Sequence, residues 1–128
     1  MPVVTKPCSR CNGLGKMFFG ERAMGAKIAS FRSFRCECGV AWEEDGRELL
    51  SGEERELELR ENGRWLLAVN PLHQVQAAAV LRKVIGGTPA QALSRVKEGL
   101  SGTSAEMQRI QFIFDHEATI ESHLTRQG

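Results

Sequence analysis

Four cysteines fall in two tight pairs, Cys8-Ser-Arg-Cys11 and Cys36-Glu-Cys38, with Gly13 close behind the first pair and Gly39 behind the second. Thiolates are soft ligands, and two short cysteine turns folded together supply the four corners of the tetrahedron that a zinc ion prefers. A glycine after each pair lets the chain turn tightly, so that backbone N–H groups can reach the sulfurs. Two other readings stay open at this level: ordinary buried thiols, or a redox pair at Cys8 and Cys11. The opening residues MPVVTKPCSR carry no apolar segment of the signal-peptide kind, and no run approaches about 18 uninterrupted apolar residues. A cytoplasmic protein without a membrane segment is expected, and in a reducing compartment grouped thiols bind metal more readily than they form disulfides. One structural zinc ion on Cys8, Cys11, Cys36 and Cys38 is therefore expected, its coordination shell closed to catalysis.

The elements around these residues must bring the two pairs together. Gly15–Gly20 and Lys27–Arg35 are rich in aromatic residues and read as the strands of a hairpin, with Phe31 and Ser33 on one side of the second strand and Ser30, Arg32 and Phe34 on the other. Val40-Ala-Trp42 reads as a third strand. An acidic stretch, Glu43–Glu48, follows, and Glu56-Leu-Glu-Leu-Arg60 then alternates with period two ahead of Asn62-Gly63 and the apolar run to Val69. Asn-Gly between two such runs signals a β-hairpin, while the glutamates, leucines and arginines of 53–60 also suit a charged helix. Beyond Asn70-Pro71 the period lengthens toward 3.6. Helices are predicted over about 73–85, from Thr88-Pro89 to Gly99, and from Thr103 or Ser104 through Phe114. The tail 118–124 reads either as a continuation of the third helix or as a short closing strand. The expected class is α+β, with a three-stranded metal-bound unit over 1–45, an acidic connector with a β-hairpin over 46–69, and a helical half over 70–128.

The order of first cysteine turn, hairpin, second turn ending in Cys-Gly and aromatic strand resembles the zinc-ribbon family over residues 6–44, with Phe34, Arg35, Cys36, Cys38, Gly39 and Trp42 matching the second half of its pattern. The resemblance implies a β-ribbon around one structural zinc. The family usually spaces its second pair by two residues where this chain has one, which leaves His73, His116 and His123 as alternative sources of a fourth ligand. Cys8–Gly15 is also similar to a single Cys-x-x-Cys-x-Gly-x-Gly repeat of J-domain cochaperones and of some phage antitermination proteins, and it occurs once here. Farther on, Leu66–Val69, Val80–Val84, Thr88, Leu93–Lys97 and Ala105–Ile110 resemble in pattern the C-terminal domain of the bacterial ribosomal stalk protein. That likeness implies an α+β sandwich with a protein-docking face on its helices, onto which Arg82, Lys83, Arg95 and Lys97 would fall. A plain three-helix bundle is the rival architecture.

The 128 residues carry a net charge of only +1, with 41% hydrophobic and 26% charged residues, a globular composition. The charges are nonetheless segregated: +5 over 1–40, −5 over 41–69 and +1 over 70–128. Four thiolates on a divalent ion would bring the first piece to about +3. Arg10, Lys16, Arg22, Lys27, Arg32 and Arg35 interleave there with Phe18, Phe19, Phe31 and Phe34, a combination that can neutralise phosphates and stack on bases. A small adaptor or regulatory protein binding nucleic acid through its basic ribbon is the first expectation. A protein-docking module with a purely structural zinc is the alternative. The chain lacks Gly-x-Ser-x-Gly, the phosphate-binding Gly-x-x-x-x-Gly-Lys and the dinucleotide glycine pattern. Asp115-His116-Glu117 sets its three groups on different faces of a helix. Neither an enzymatic activity nor a small-molecule substrate is expected.

Overall fold

The computed structural model describes residues 2–127. Its first unit is a four-stranded antiparallel sheet in which β1 (Val3–Pro7), β2 (Leu14–Met24), β3 (Lys27–Arg35) and β4 (Ala41–Gly46) lie side by side in chain order. The strand expected at Gly15–Gly20 continues to Met24, because the turn falls at Gly25 (φ 65°) and Gly20 stays inside the strand. The added strand, β1, is built from β-branched Val3, Val4 and Thr5. It sits at the edge of the sheet, a place that tolerates its closing proline, Pro7.

The β-hairpin expected over 46–69 does not form. Residues Gly52–Asn62 are a helix, α1, opening with Glu53 and Glu54 and closing with Arg60, charges that suit the helix dipole at either end. Gly63, at φ 86°, ends the helix where a hairpin turn was expected. Two leucines at period two are too few to hold a strand against a run of strong helix formers.

Trp65–Val69 is β5, the centre of a second antiparallel sheet of order β6-β5-β7. A short helical turn, Pro71–His73, leads into α2 (Gln74–Ile85), followed by α3 (Pro89–Glu98), β6 (Leu100–Gly102), α4 (Ser104–Ala118) and β7 (Ser122–Arg126). Thr88 and Thr103 open α3 and α4 with complete capping boxes, the threonine side chain accepting from the backbone N–H of Gln91 or Glu106 while that residue's side chain accepts from the threonine N–H. Thr119, in the left-handed conformation, stops α4, and the tail becomes the closing strand β7, with Leu124 opposite Leu67. The α+β class and the three expected helices stand, and the second sheet rules out a plain three-helix bundle.

Each sheet has its own core. Leu67, Leu81, Val96, Phe114 and Ile120 fill the second. Cys8, Met17, Phe19, Phe34 and Leu50 fill the first, with Leu57 of α1 against them. Polar contacts join the two. Thr103 Oγ1 donates to Glu21 Oε1, and the Leu50 N–H donates to Glu21 Oε2 at 3.2 Å. Arg55 pairs with Glu106 through two hydrogen bonds at 2.9 and 3.0 Å, and Arg109 Nε donates to the Ala26 carbonyl in the β2–β3 turn.

Burial pushes the Glu21 carboxyl above its usual range, with Glu106 and Glu58 adding to the effect against the two hydrogen bonds it accepts. An acid raised in the folded state favours folding while protonated, and that advantage fades as pH rises through its folded pKa. Glu21→Gln is therefore expected to remove a loss of stability that the native protein suffers as pH climbs above the ordinary carboxyl range, measured by denaturant unfolding at a series of pH values. Parallel stability profiles for the two proteins would show that Glu21 is not the group responsible.

Candidate metal centre

The two cysteine turns lie at the same end of the first sheet, because β2 and β3 are neighbours and each turn joins one of them to an edge strand. In the first turn the Cys8 N–H donates to the Gly13 carbonyl at 2.8 Å, and the Asn12 N–H donates to the Cys8 carbonyl at 3.0 Å. Asn12 takes a left-handed φ of 59° to close the turn, a conformation asparagine tolerates better than most residues. The Gly13 N–H then points at Cys11 Sγ from 3.3 Å. In the second turn the Cys36 N–H donates to Val40 O and the Gly39 N–H to Cys36 O. Gly39 has φ 98° and no atom within 4 Å of where a Cβ would stand, so its backbone angle, not crowding, is what calls for glycine.

These turns bring the sulfurs of Cys8, Cys11, Cys36 and Cys38 within 4.8 Å of one another. Cys8 lies 3.7 Å from Cys38, and Cys11 lies 3.5 Å from Cys36. All four are free cysteines, well beyond the bonded distance of about 2.05 Å. A metal ion bound to four thiolates at about 2.3 Å spaces its sulfurs by about 3.8 Å in a tetrahedron, so the donor set and its geometry fit such an ion. Within the cluster the thiols are pushed apart: the N–H groups of Cys11 and Arg10 lower Cys8 to about 6, while burial and the neighbouring thiols push Cys36 up to about 12, so the support for a metal is the sulfur geometry.

Both cysteines of the one-residue pair lie in the cluster, which thus holds four sulfurs without a histidine. The three histidines are engaged or remote. His73 Nδ1 accepts from the Glu121 N–H at 3.0 Å, His116 stacks on Phe112 with ring centroids 3.8 Å apart, and His123 lies on β7.

The cross-strand register sorts the basic residues. Lys16, Phe18, Gly20, Arg22 and Met24 of β2 share the outer face of the sheet with Lys27, Ala29, Phe31, Ser33 and Arg35 of β3. Met17, Phe19 and Glu21 share the inner face with Phe34, Arg32 and Ser30. Lys16, Arg22, Lys27 and Arg35 are exposed on the outer face, and Arg10 is exposed in the first cysteine turn. Arg32 departs from the expectation. It points inward and binds Glu54 through two hydrogen bonds at 2.8 and 2.7 Å, with Glu44 at 3.7 Å, so it is committed to holding α1 against the sheet. The phenylalanines divide in the same way: Phe19 and Phe34 are buried, whereas Phe18 and Phe31 are half-buried on the outer face.

Arg82, Lys83, Arg95 and Lys97 are all exposed in the last turns of α2 and α3, where they complement the helix dipoles. Arg82 Nε also donates to the Gly87 carbonyl, which ties it to the loop between the two helices. Sequence reasoning missed Glu21 as the link between the two units. The signal was present, since counting by two from Met17 and Phe19 places it on the inner face.

The purified chain is expected to carry one tightly held metal ion, measured by elemental mass spectrometry. Cys8→Ser and Cys38→Ser should each lose it, and chelation should lower the melting temperature by about 10 °C or more while helical circular dichroism persists. Retention of a full equivalent of metal by Cys38→Ser would mean that the second pair does not supply both of its sulfurs. Gly39→Ala, forced into a left-handed conformation, should weaken the fold by about 1–2 kcal/mol.

Comparison with protein-family models, with curated protein sequences and with solved structures gives no match, so the four-sulfur cluster and the two-sided sheet above it are the observations from which function has to be read.

Proposed function

We propose that the cluster holds a single structural zinc ion and that the sheet it braces is a nucleic-acid-binding surface. Zinc suits the donor set, since four thiolates in a closed tetrahedron are its common structural arrangement and leave no open position for a substrate. The observation that carries the binding reading is the pairing of Lys16 directly opposite Arg35 on the outer face, next to Phe18 and in line with Arg22 and Lys27. Among the described residues none of these four cations forms an ion pair within the protein. A row of unpaired cations with half-buried rings between them can contact phosphates and bases together.

A docking module with a purely structural zinc is the second reading. It is favoured by Leu72 and Val75, which are 87% and 74% exposed near the start of α2. Salt dependence separates the two, because contacts to phosphate weaken steeply as salt rises and apolar contacts do not.

Fluorescence anisotropy of labelled oligonucleotides, titrated with the zinc-loaded chain at several salt concentrations, tests the proposal. Binding is expected at low salt, weakening steeply as salt rises. Lys16→Glu and Arg35→Glu should each reduce affinity about tenfold or more. If no oligonucleotide binds at low salt, or if both charge reversals leave affinity unchanged, the nucleic-acid reading fails and the docking surface on α2 becomes the place to look.

A further inference from the structure

Along the outer face the register sets Lys16 against Arg35, Phe18 against Ser33, Gly20 against Phe31, Arg22 against Ala29 and Met24 against Lys27. Like charges directly opposite one another work against a sheet. The Lys16 and Arg35 pair therefore adds nothing to the fold, and what it can do is attract an anion. The order along the two strands is then a cationic pair, a ring, a second ring and two more cations.

Phe18 and Phe31 are diagonal neighbours on the outer face. The end of the Phe31 ring occupies the space above Gly20, where a Cβ would come within 2.5 Å of its Cζ atom. Phe18 lies two residues from Gly20 along β2, a step of about 7 Å, and Phe31 is one strand across, about 4.8 Å. Stacked bases in a duplex are about 3.4 Å apart along each strand. A base inside a duplex is covered on both faces by its neighbours, so a base that lays a face on either ring has to leave that stack. That condition belongs to a single strand.

The edges of the platform point the same way. On β4 the outer-face residues opposite Ser33 and Phe31 are Glu43 and Asp45, so an acidic strip borders the basic strands on one side. A duplex presents two rows of phosphate across a groove, about 12 Å for the major groove, and its second row would meet that strip. One strand lying over β2 and β3 avoids it. On the other side Val3 and Thr5 of β1, opposite Phe18 and Lys16, extend the platform without negative charge.

We infer that the outer face of the first sheet takes single-stranded DNA or RNA, with successive bases on Phe18 and Phe31, flanking phosphates on Lys16 with Arg35 and on Arg22 with Lys27, and Glu43 and Asp45 fencing the strand off β4. The inference rests on the nucleic-acid reading above and narrows it to one class of ligand. Gly20 is part of the site, since its missing side chain is what lets the Phe31 ring lie where it does.

The test uses the full zinc-loaded chain with oligo-dT, oligo-U and a mixed-sequence duplex, each of about twelve nucleotides per strand, followed by anisotropy at constant low salt. Both single strands should bind about tenfold or more tightly than the duplex, with a salt slope near −3 for about four phosphate contacts. Phe18→Leu and Phe31→Leu should each cost roughly tenfold for single strands and leave duplex binding unchanged. Gly20→Ala should reproduce the Phe31→Leu loss, and Asp45→Asn should strengthen binding. Metal content and circular dichroism verify each variant. Should a leucine variant fail to fold, Phe18→Trp replaces it, with quenching of the added indole on single-strand binding as the readout. Equal or tighter binding of the duplex, or native affinity in folded leucine variants together with an unquenched indole, overturns the single-strand inference while Lys16→Glu still reports on nucleic acid. Absence of binding to all three probes overturns both.

Discussion

The meeting of four sulfurs at one end of the first sheet is the constraint on which the rest of this unit depends. Each cysteine turn joins an edge strand to a central one, so a metal ion held by the four sulfurs would tie β1 and β2 to β3 and β4. The sheet has only a small apolar core of its own, centred on Met17, Phe19, Phe34 and Leu50, with Phe34 stacked on Trp42 at 5.6 Å. A core of that size is marginal without a staple. The opposite end is held differently. There the β2–β3 turn docks on α4, where Arg109 bonds the Ala26 carbonyl and the Phe112 ring packs close to Gly25. Sulfur at one end and a helix at the other fix the sheet without anything needing to cover its outer face.

That arrangement gives the period-two alternation of β2 and β3 its meaning. A sheet packed on both faces would have to bury Phe18 and Phe31 and would have no place for Lys16, Arg22 and Arg35. Here α1 and α4 supply packing to the inner side only. Glu21 and Arg32, the two charged residues that the alternation turns inward, are each met by a partner from the later part of the chain. Arg32 is met by Glu54 and Glu44, and Glu21 by Thr103 and the Leu50 N–H. A buried charge without a partner would be costly, and these pairings are what let α1 and the α4 cap close against the sheet.

Much of this was legible in the sequence where one local rule acts alone. The cysteine spacing with its glycines located the sulfur cluster, including the one-residue pair. The Thr88-Pro89 and Thr103-Ser104 starts located α3 and α4, because a cap is a matter of a few neighbouring residues. What was not legible depended on competition or on distant partners. In 53–62 a period-two pattern competed with helix propensity, and propensity prevailed because no neighbouring strand was available to reward the alternation. β1 and β6 are short and have meaning only through the strands beside them. The inward turn of Arg32 followed from the alternation already read in β3, whereas its bond to Glu54 required knowing that residues 52–62 fold back over the sheet.

The segregation of charge along the chain acquires its explanation from the same geometry. The acidic stretch does not neutralise the basic one as a whole. Glu44 and Glu54 reach Arg32, the inward cation of β3, and Glu43 and Asp45 line the outer edge along β4. Among the described residues Lys16, Arg22, Lys27 and Arg35 have no ion-pair partner on the central strands, beside the half-buried rings of Phe18 and Phe31. A sequence nearly neutral overall thereby folds into a sheet with a positive centre and a negative border on one side. An even distribution of the same residues would give neither the direction nor the width of such a surface, and an anion meeting it would be steered toward β2 and β3 and away from β4.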